Sequence, residues 1–141
     1  MSVAAVPKVR LTREQLEKVI EISPFTKWVG TRVTAFSNGQ VGVEIDIRPE
    51  MAQHHGFAHG ALVGYMADTA CAWAAASAVG DVVTSEYKLN LLAPAVGEKL
   101  RATGSVVKAG ARQVVTRADV YAVRDGVEKI VATALATIAR V

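Results

Sequence analysis

Hydrophobic positions change period along the chain, and the changes mark out its elements. Thr12-Arg13-Glu14-Gln15 has the form of a capping box, and Leu16, Val19 and Ile20 follow at helical spacing. This predicts a short amphipathic helix to about Ile22. Ser23-Pro24 ends it, because a residue before proline is pushed out of helical backbone. The period then falls to two. Trp28 to Phe36 reads as a strand and Ser37-Asn38-Gly39-Gln40 as a hairpin turn, and Val41, Val43, Ile45 and Ile47 put one apolar face on the next strand. Arg48 to Ala58, with Pro49 and Gly56, reads as a loop. Gly60 to Val79 is apolar on every side and predicts a helix enclosed by other structure. Strands follow from Val82 to Leu92, Glu98 to Lys108, Ala111 to Val123 and Val127 to Arg140, punctuated by Pro94-Ala95-Val96-Gly97, Gly110 and Arg124-Asp125-Gly126.

Helices early and strands late imply an α+β arrangement, an antiparallel sheet of about six strands wrapped round one long Ala-rich helix. Residues 1–27 are read as an N-terminal segment with the short helix, and residues 28–141 as a single domain. The length of 141 residues suits one packed core, and 51% hydrophobic with 21% charged residues excludes a disordered or low-complexity chain. Gly60 to Val79 is long enough to cross a bilayer. However, it carries Asp68 near its middle and has no close Lys or Arg flank, so a buried core helix is expected and no membrane partner.

The single cysteine, Cys71, forms no internal bridge and reads as an inert core thiol. Met1 to Pro7 lacks a charged stretch followed by an apolar run, so a cytoplasmic location is expected. A surplus of 16 basic over 13 acidic residues is too small to suggest nucleic acid. From Lys99 to Arg117, however, the chain carries Lys99, Arg101, Lys108, Arg112 and Arg117 with no acidic residue, which marks either solvated strand faces or a landing site for a small polyanion.

Reactive side chains gather in Gln53-His54-His55-Gly56-Phe57-Ala58-His59-Gly60, with Asp68 eight residues beyond the last glycine. The three histidines match no zinc-ligand spacing, so no metal is expected. His54 and His55 read as loop residues capping backbone groups, and His59 as either a loop anchor or a catalytic group. Gly60 opens the helix, where backbone N–H groups lack intrahelical partners and favour negative charge, so it can offer a carbonyl oxygen a hydrogen bond at close range or simply permit tight packing. Asp68 lies in an apolar helix, where a carboxylate must be paired or face a cavity. It reads as a general base or nucleophile, or as the acceptor of a hydrogen bond from Tyr65 or a neighbouring strand. At about 1.5 Å per residue, Gly60 and Asp68 of one helix stand about 12 Å apart. If both act on one bond, each must come from a different chain of a two-fold dimer.

The run from Gln53 to Ala61, Ala67-Asp68-Thr69-Ala70, and Tyr87-Lys88-Leu89-Asn90-Leu91-Leu92-Ala93-Pro94-Ala95 resemble the hotdog-fold acyl-CoA thioesterases of the phenylacetate-degradation (PaaI-like) group, a likeness covering about Trp28 to Val141. The resemblance implies a hotdog fold, assembled as a homodimer at least and as a tetramer built from dimers. It implies hydrolysis of acyl-CoA to a carboxylic acid and coenzyme A without a cofactor. On this likeness Gln53 orients the thioester or water, Gly60 supplies the oxyanion N–H, Asp68 of the other subunit is base or nucleophile, and Thr84 assists the attacking water. Ala61 stands where the family usually has a second glycine. Lys108, Arg112 and Arg117 become candidates for the coenzyme phosphates. The same fold also hosts hydratases and dehydratases, which would recruit His59 with Asp68, and an acyl-CoA binder without catalysis is a third reading.

Overall fold

The computed structural model describes residues 10–141; the reading of Met1 to Pro7 lies outside them. Helix α1 (Arg13–Ile22) carries the expected capping box, with Thr12 and Gln15 each accepting the other's backbone N–H. It buries Leu16 completely. Pro24 does more than end it. With φ already set for a helix and no N–H to lose, proline suits a first helical turn, and Pro24–Val29 forms a second helix, α2, closed by Gly30 at φ 82°. The strand expected from Trp28 therefore begins only at Arg32, and Trp28 belongs to α2.

The remaining elements fall close to their expected places. Strands β1 (Arg32–Ser37) and β2 (Gln40–Asp46) form a hairpin, and α3 (Gly60–Val79) follows the loop. Strands β3 (Val82–Leu91), β4 (Lys99–Ala109), β5 (Gln113–Arg124) and β6 (Val127–Arg140) complete one antiparallel sheet in the order β1-β2-β4-β5-β6-β3. One face wraps α3. Val41, Val43 and Ile45 of β2, Leu100 and Ala102 of β4, and Val114, Ala118 and Val120 of β5 all turn inward and are buried. The apolar helix is therefore the core of the fold, with most of its surface covered by protein.

The helix sits very close to the sheet. A Cβ added at Gly104 of β4 would lie 2.0 Å from the Ala70 carbonyl oxygen, so only glycine permits the approach. Cys71, the next residue, is fully buried, and desolvation pushes its thiol up to about 11.

On the outer face, cross-strand neighbours neutralise part of the basic run. Glu44 of β2 accepts from Arg101 at 2.7 Å and Arg32 at 2.9 Å, Lys99 reaches Asp46 at 2.7 Å, and Arg101 also reaches Glu128 at 2.9 Å. Lys99 and Arg101 thus do not contribute to a free positive field, as the solvated-face alternative for this run has it. Burial alone would raise the Glu44 carboxyl, but hydrogen bonds from Arg101, Arg32 and Lys99 outweigh it and hold it at about 2 against an ordinary 4.5.

Two outcomes follow from these contacts. Gly104→Ala should lower unfolding free energy by at least about 1–3 kcal/mol in a urea titration, because the helix must move off the sheet. A carboxyl depressed in the folded state stabilises fully above its ordinary value, and that stability is lost as pH falls from 4.5 towards about 2. Glu44→Gln should flatten this part of the stability–pH curve measured by thermal melting.

Candidate active site

The loop before α3 is folded back on itself. Gln53 and Phe57 bond through backbone N–H and C=O at 2.9 Å, the Gly56 N–H returns to the Gln53 carbonyl at 3.0 Å, and the Gln53 side-chain oxygen accepts the His55 N–H. The His59 N–H is held by the Met51 carbonyl at 2.9 Å, which fixes where α3 starts. His54 and His55 stay exposed with their rings 4.1 Å apart. The protein thus caps this loop with the Gln53 amide, where the sequence had suggested the histidines. Among the described residues no three His, Cys, Asp or Glu side chains converge as a metal site would need.

A helix N-terminus offers four N–H groups without intrahelical partners. In α3 three are engaged: the His59 N–H donates to the Met51 carbonyl at 2.9 Å, the Ala61 N–H to His59 Nδ1 at 2.9 Å and the Leu62 N–H to the His59 carbonyl at 2.9 Å, while the Val63 N–H makes the first regular helical bond to that carbonyl at 3.3 Å. The Gly60 N–H has no acceptor among the described residues. Gly60 itself lines a cleft of about 420 Å³ together with Gln53, Phe57, Val63, Leu91 and Pro94. A Cβ at Gly60 would meet Leu91 at 3.5 Å, an ordinary contact, so packing within the chain does not demand glycine there. Gln53 and Gly60, the two ends of the reactive run in the sequence, line one cleft. Phe57, Val63 and Leu91 of its wall were not singled out, since as isolated apolar residues they carry no local signal.

His59 acts through the backbone. Its Nδ1 caps the helix, and the residue also borders a second cavity of about 230 Å³ on the other side of the helix end, walled by Phe25, Trp28, Met51, Leu62 and Tyr65. Phe25 meets Tyr65 edge to face at 5.4 Å, and the Tyr65 hydroxyl lies 2.8 Å from that of Thr31. Tyr65 is therefore not the partner of Asp68.

Two turns along α3, half-buried Asp68 accepts a hydrogen bond from Thr84 of β3, Oγ1 to Oδ1 at 2.6 Å. The structure thus brings together two further sequence candidates, and the neighbouring-strand partner foreseen for Asp68 exists. β3 is an edge strand, and Val83, Tyr87 and Leu91 along it are 55%, 40% and 59% exposed. Large apolar side chains rarely line an unpaired edge.

Lys108 and Arg117 stand on the outer face of the sheet, opposite Val115 and Ser105 respectively, while Arg112 lies in the β4–β5 hairpin. That hairpin is level with Thr84 through Val114 and Ile138, away from the cleft. The structure does not bring these three residues to Gln53 and Gly60 within one chain.

The model of the thioesterase superfamily matches residues 55–129, which span α3 and the strands up to β6. The chain belongs to the thioesterase superfamily. It is a hotdog-fold thioesterase of the PaaI-like group. A thioesterase family protein from Silicibacter pomeroyi is 34% identical with TM-score 0.85, covering 88% of this chain and 93% of that one. A mutant of the phenylacetic acid degradation protein PaaI from Thermus thermophilus is 28% identical with TM-score 0.73, covering 84% and 99%. The PaaI protein from the Escherichia coli phenylacetic acid degradation operon shares the fold at 23% identity and TM-score 0.79, covering 91% of each chain. None of the curated proteins searched matches the chain.

If His59 is held by its cap, His59→Ala should cost about 1 kcal/mol in a urea titration, and His59→Asn, whose side-chain oxygen can accept the same N–H, should recover most of it.

Proposed function

We propose that the protein is an acyl-CoA thioesterase that adds water across the thioester bond, releasing a carboxylic acid and coenzyme A. The reading rests on one observation: Gly60, whose N–H is the one donor at the start of α3 without an acceptor among the described residues, lines the same cleft as Gln53. A thioester carbonyl seated there would accept the Gly60 N–H, and the helix dipole would stabilise the negative charge that grows on its oxygen during attack. Gln53 orients the thioester or the water. His59 contributes by holding the helix end, since its Nδ1 is already committed to Ala61.

Asp68 supplies the base or the nucleophile. As a base it takes a proton from water as the water oxygen attacks the carbonyl carbon, and the C–S bond breaks as the thiolate leaves and is protonated. As a nucleophile it forms a mixed anhydride that water then opens. In either case Thr84 orients the carboxylate through the hydrogen bond it donates to Oδ1. Gly60 and Asp68 sit eight residues apart on one straight helix, about 12 Å along its axis, so one centre needs Gly60 from one chain and Asp68 from another. The free edge of β3, with its exposed apolar side chains beside Asp68, is the face we assign to that dimer, with a tetramer built from two dimers. A cytoplasmic location fits this reading, since intracellular acyl-CoA would be its substrate.

Asp68→Asn should stay folded and dimeric and lose at least about a hundredfold in kcat, measured by thiol release from a panel of acyl-CoAs. Gln53→Ala and Asp68→Asn chains unfolded together and refolded in equal amounts should restore activity at about a quarter of all sites, because each mixed dimer has one intact composite site. A site built from one chain would restore none, even with mixed dimers verified by tag pull-down. Crotonyl-CoA should yield free thiol. Hydration without thiol release would identify a hydratase.

A further inference from the structure

The cleft at Gly60 has a neighbour. Pro94 forms part of its wall and also part of the wall of a groove of about 480 Å³, which runs between the 94–96 loop and the β5–β6 hairpin. The near part of that groove is apolar, with Val96 and Ala122, and the far part carries Arg124 and Lys129. The two cations stand on the same face of the sheet as α3. Lys129 pairs with Ala122, which is 3% exposed and points inward, and Arg124 lies two residues further along that strand, opposite Val127. Neither side chain has an ion-pair or hydrogen-bond partner among the described residues. The nearby acids are accounted for. Glu128 is held by Arg101 on the opposite face, and Glu98 accepts the Asp125 N–H at 3.0 Å. Asp125 also lines the groove, so its lining carries two cations and one carboxylate, with the Glu98 carboxylate beside them on the Asp125 N–H.

We propose that Arg124 and Lys129 hold the phosphates of the coenzyme A portion of the substrate, with the uncharged pantetheine arm lying past Pro94 and Val96 to the thioester at Gly60. This rests on the acyl-CoA reading given above and deepens it. An arginine fork and a flexible lysine are the side chains that phosphate oxygens favour. The groove meets the cleft at Pro94, which lines both. Lys108 and Arg117 point from the other face, and Arg112 lies in the hairpin level with Thr84. The basic run that stands out in the sequence is therefore displaced as the phosphate site by two residues flanking a turn.

The test compares one acyl group on two thiols, coenzyme A and N-acetylcysteamine, which has no phosphate. Arg124→Ala/Lys129→Ala should raise KM for the acyl-CoA about tenfold or more with kcat within about twofold, and leave KM for the N-acetylcysteamine ester unchanged. Asp125→Asn removes the opposing charge while tolerating the left-handed backbone at φ 49°, and should lower KM for the acyl-CoA only. Equal shifts with both esters would make the groove a structural support and overturn the assignment. So would no shift, or a coenzyme-specific rise in Lys108→Ala/Arg112→Ala instead. Equilibrium titration with free coenzyme A separates the two readings: the double variant should bind it about tenfold more weakly than wild type, whether or not a thioester is turned over. Hydrolysis without this dependence removes the groove assignment alone. Dependence without hydrolysis of any thioester removes the thioesterase reading alone.

Discussion

The approach of α3 to β4 at Gly104 sets the position of everything that bears on function. With the Ala70 carbonyl where a side chain would otherwise stand, the helix lies almost on the backbone of the sheet, and Ala67, Ala70, Ala74 and Ala75 keep it there at no cost in volume. A helix so seated cannot slide or rotate freely. Its first residue is delivered to the loop at Gln53 and its third turn to the edge strand at Thr84, so two chemically distinct ends are placed by one packing contact.

The start of α3 shows how a common structural element becomes selective. Any helix start offers several donors, and a diffuse patch of them would hold any anion. Here three of the four are taken, the His59 N–H by the Met51 carbonyl, the Ala61 N–H by the His59 side chain and the Leu62 N–H by the His59 carbonyl. What remains is one N–H in one direction, beside an amide side chain already tied into its own loop. Ala61, in place of a second glycine, fits this arrangement, because its N–H is committed to His59 and needs no access to substrate.

Much of this was legible in the residues. Alternation at Val41, Val43 and Ile45 and the unbroken apolar run of α3 have one physical solution each, a half-buried strand and an enclosed helix, and both were found. Gln53 and Gly60 stood out because reactive side chains gather in the one run that leads into the apolar helix, and Gln53 took its role from the family likeness. Trp28 misled because an apolar residue after a short segment has no period of its own, whereas Pro24 at a helix start overrides it. Charge was the least legible property. Lys99 and Arg101 lie in an acid-free stretch of sequence, yet their partners Glu44, Asp46 and Glu128 arrive from other strands. Conversely, Arg124 and Lys129 carry no signal in the sequence, and only the strand register puts them on the inner face.

Cys71 lies one helical turn beyond Asp68, fully enclosed, with a thiol that desolvation keeps protonated at neutral pH. Thiol–disulfide exchange needs an accessible thiolate. Cleaving thioesters leaves a free thiol in the surroundings, and oxidised forms of that thiol would trap any reactive cysteine of the protein as a mixed disulfide. Burying the single sulfhydryl against the sheet leaves nothing to trap, so the protein can accumulate its own sulfur-bearing product under oxidation without being modified by it.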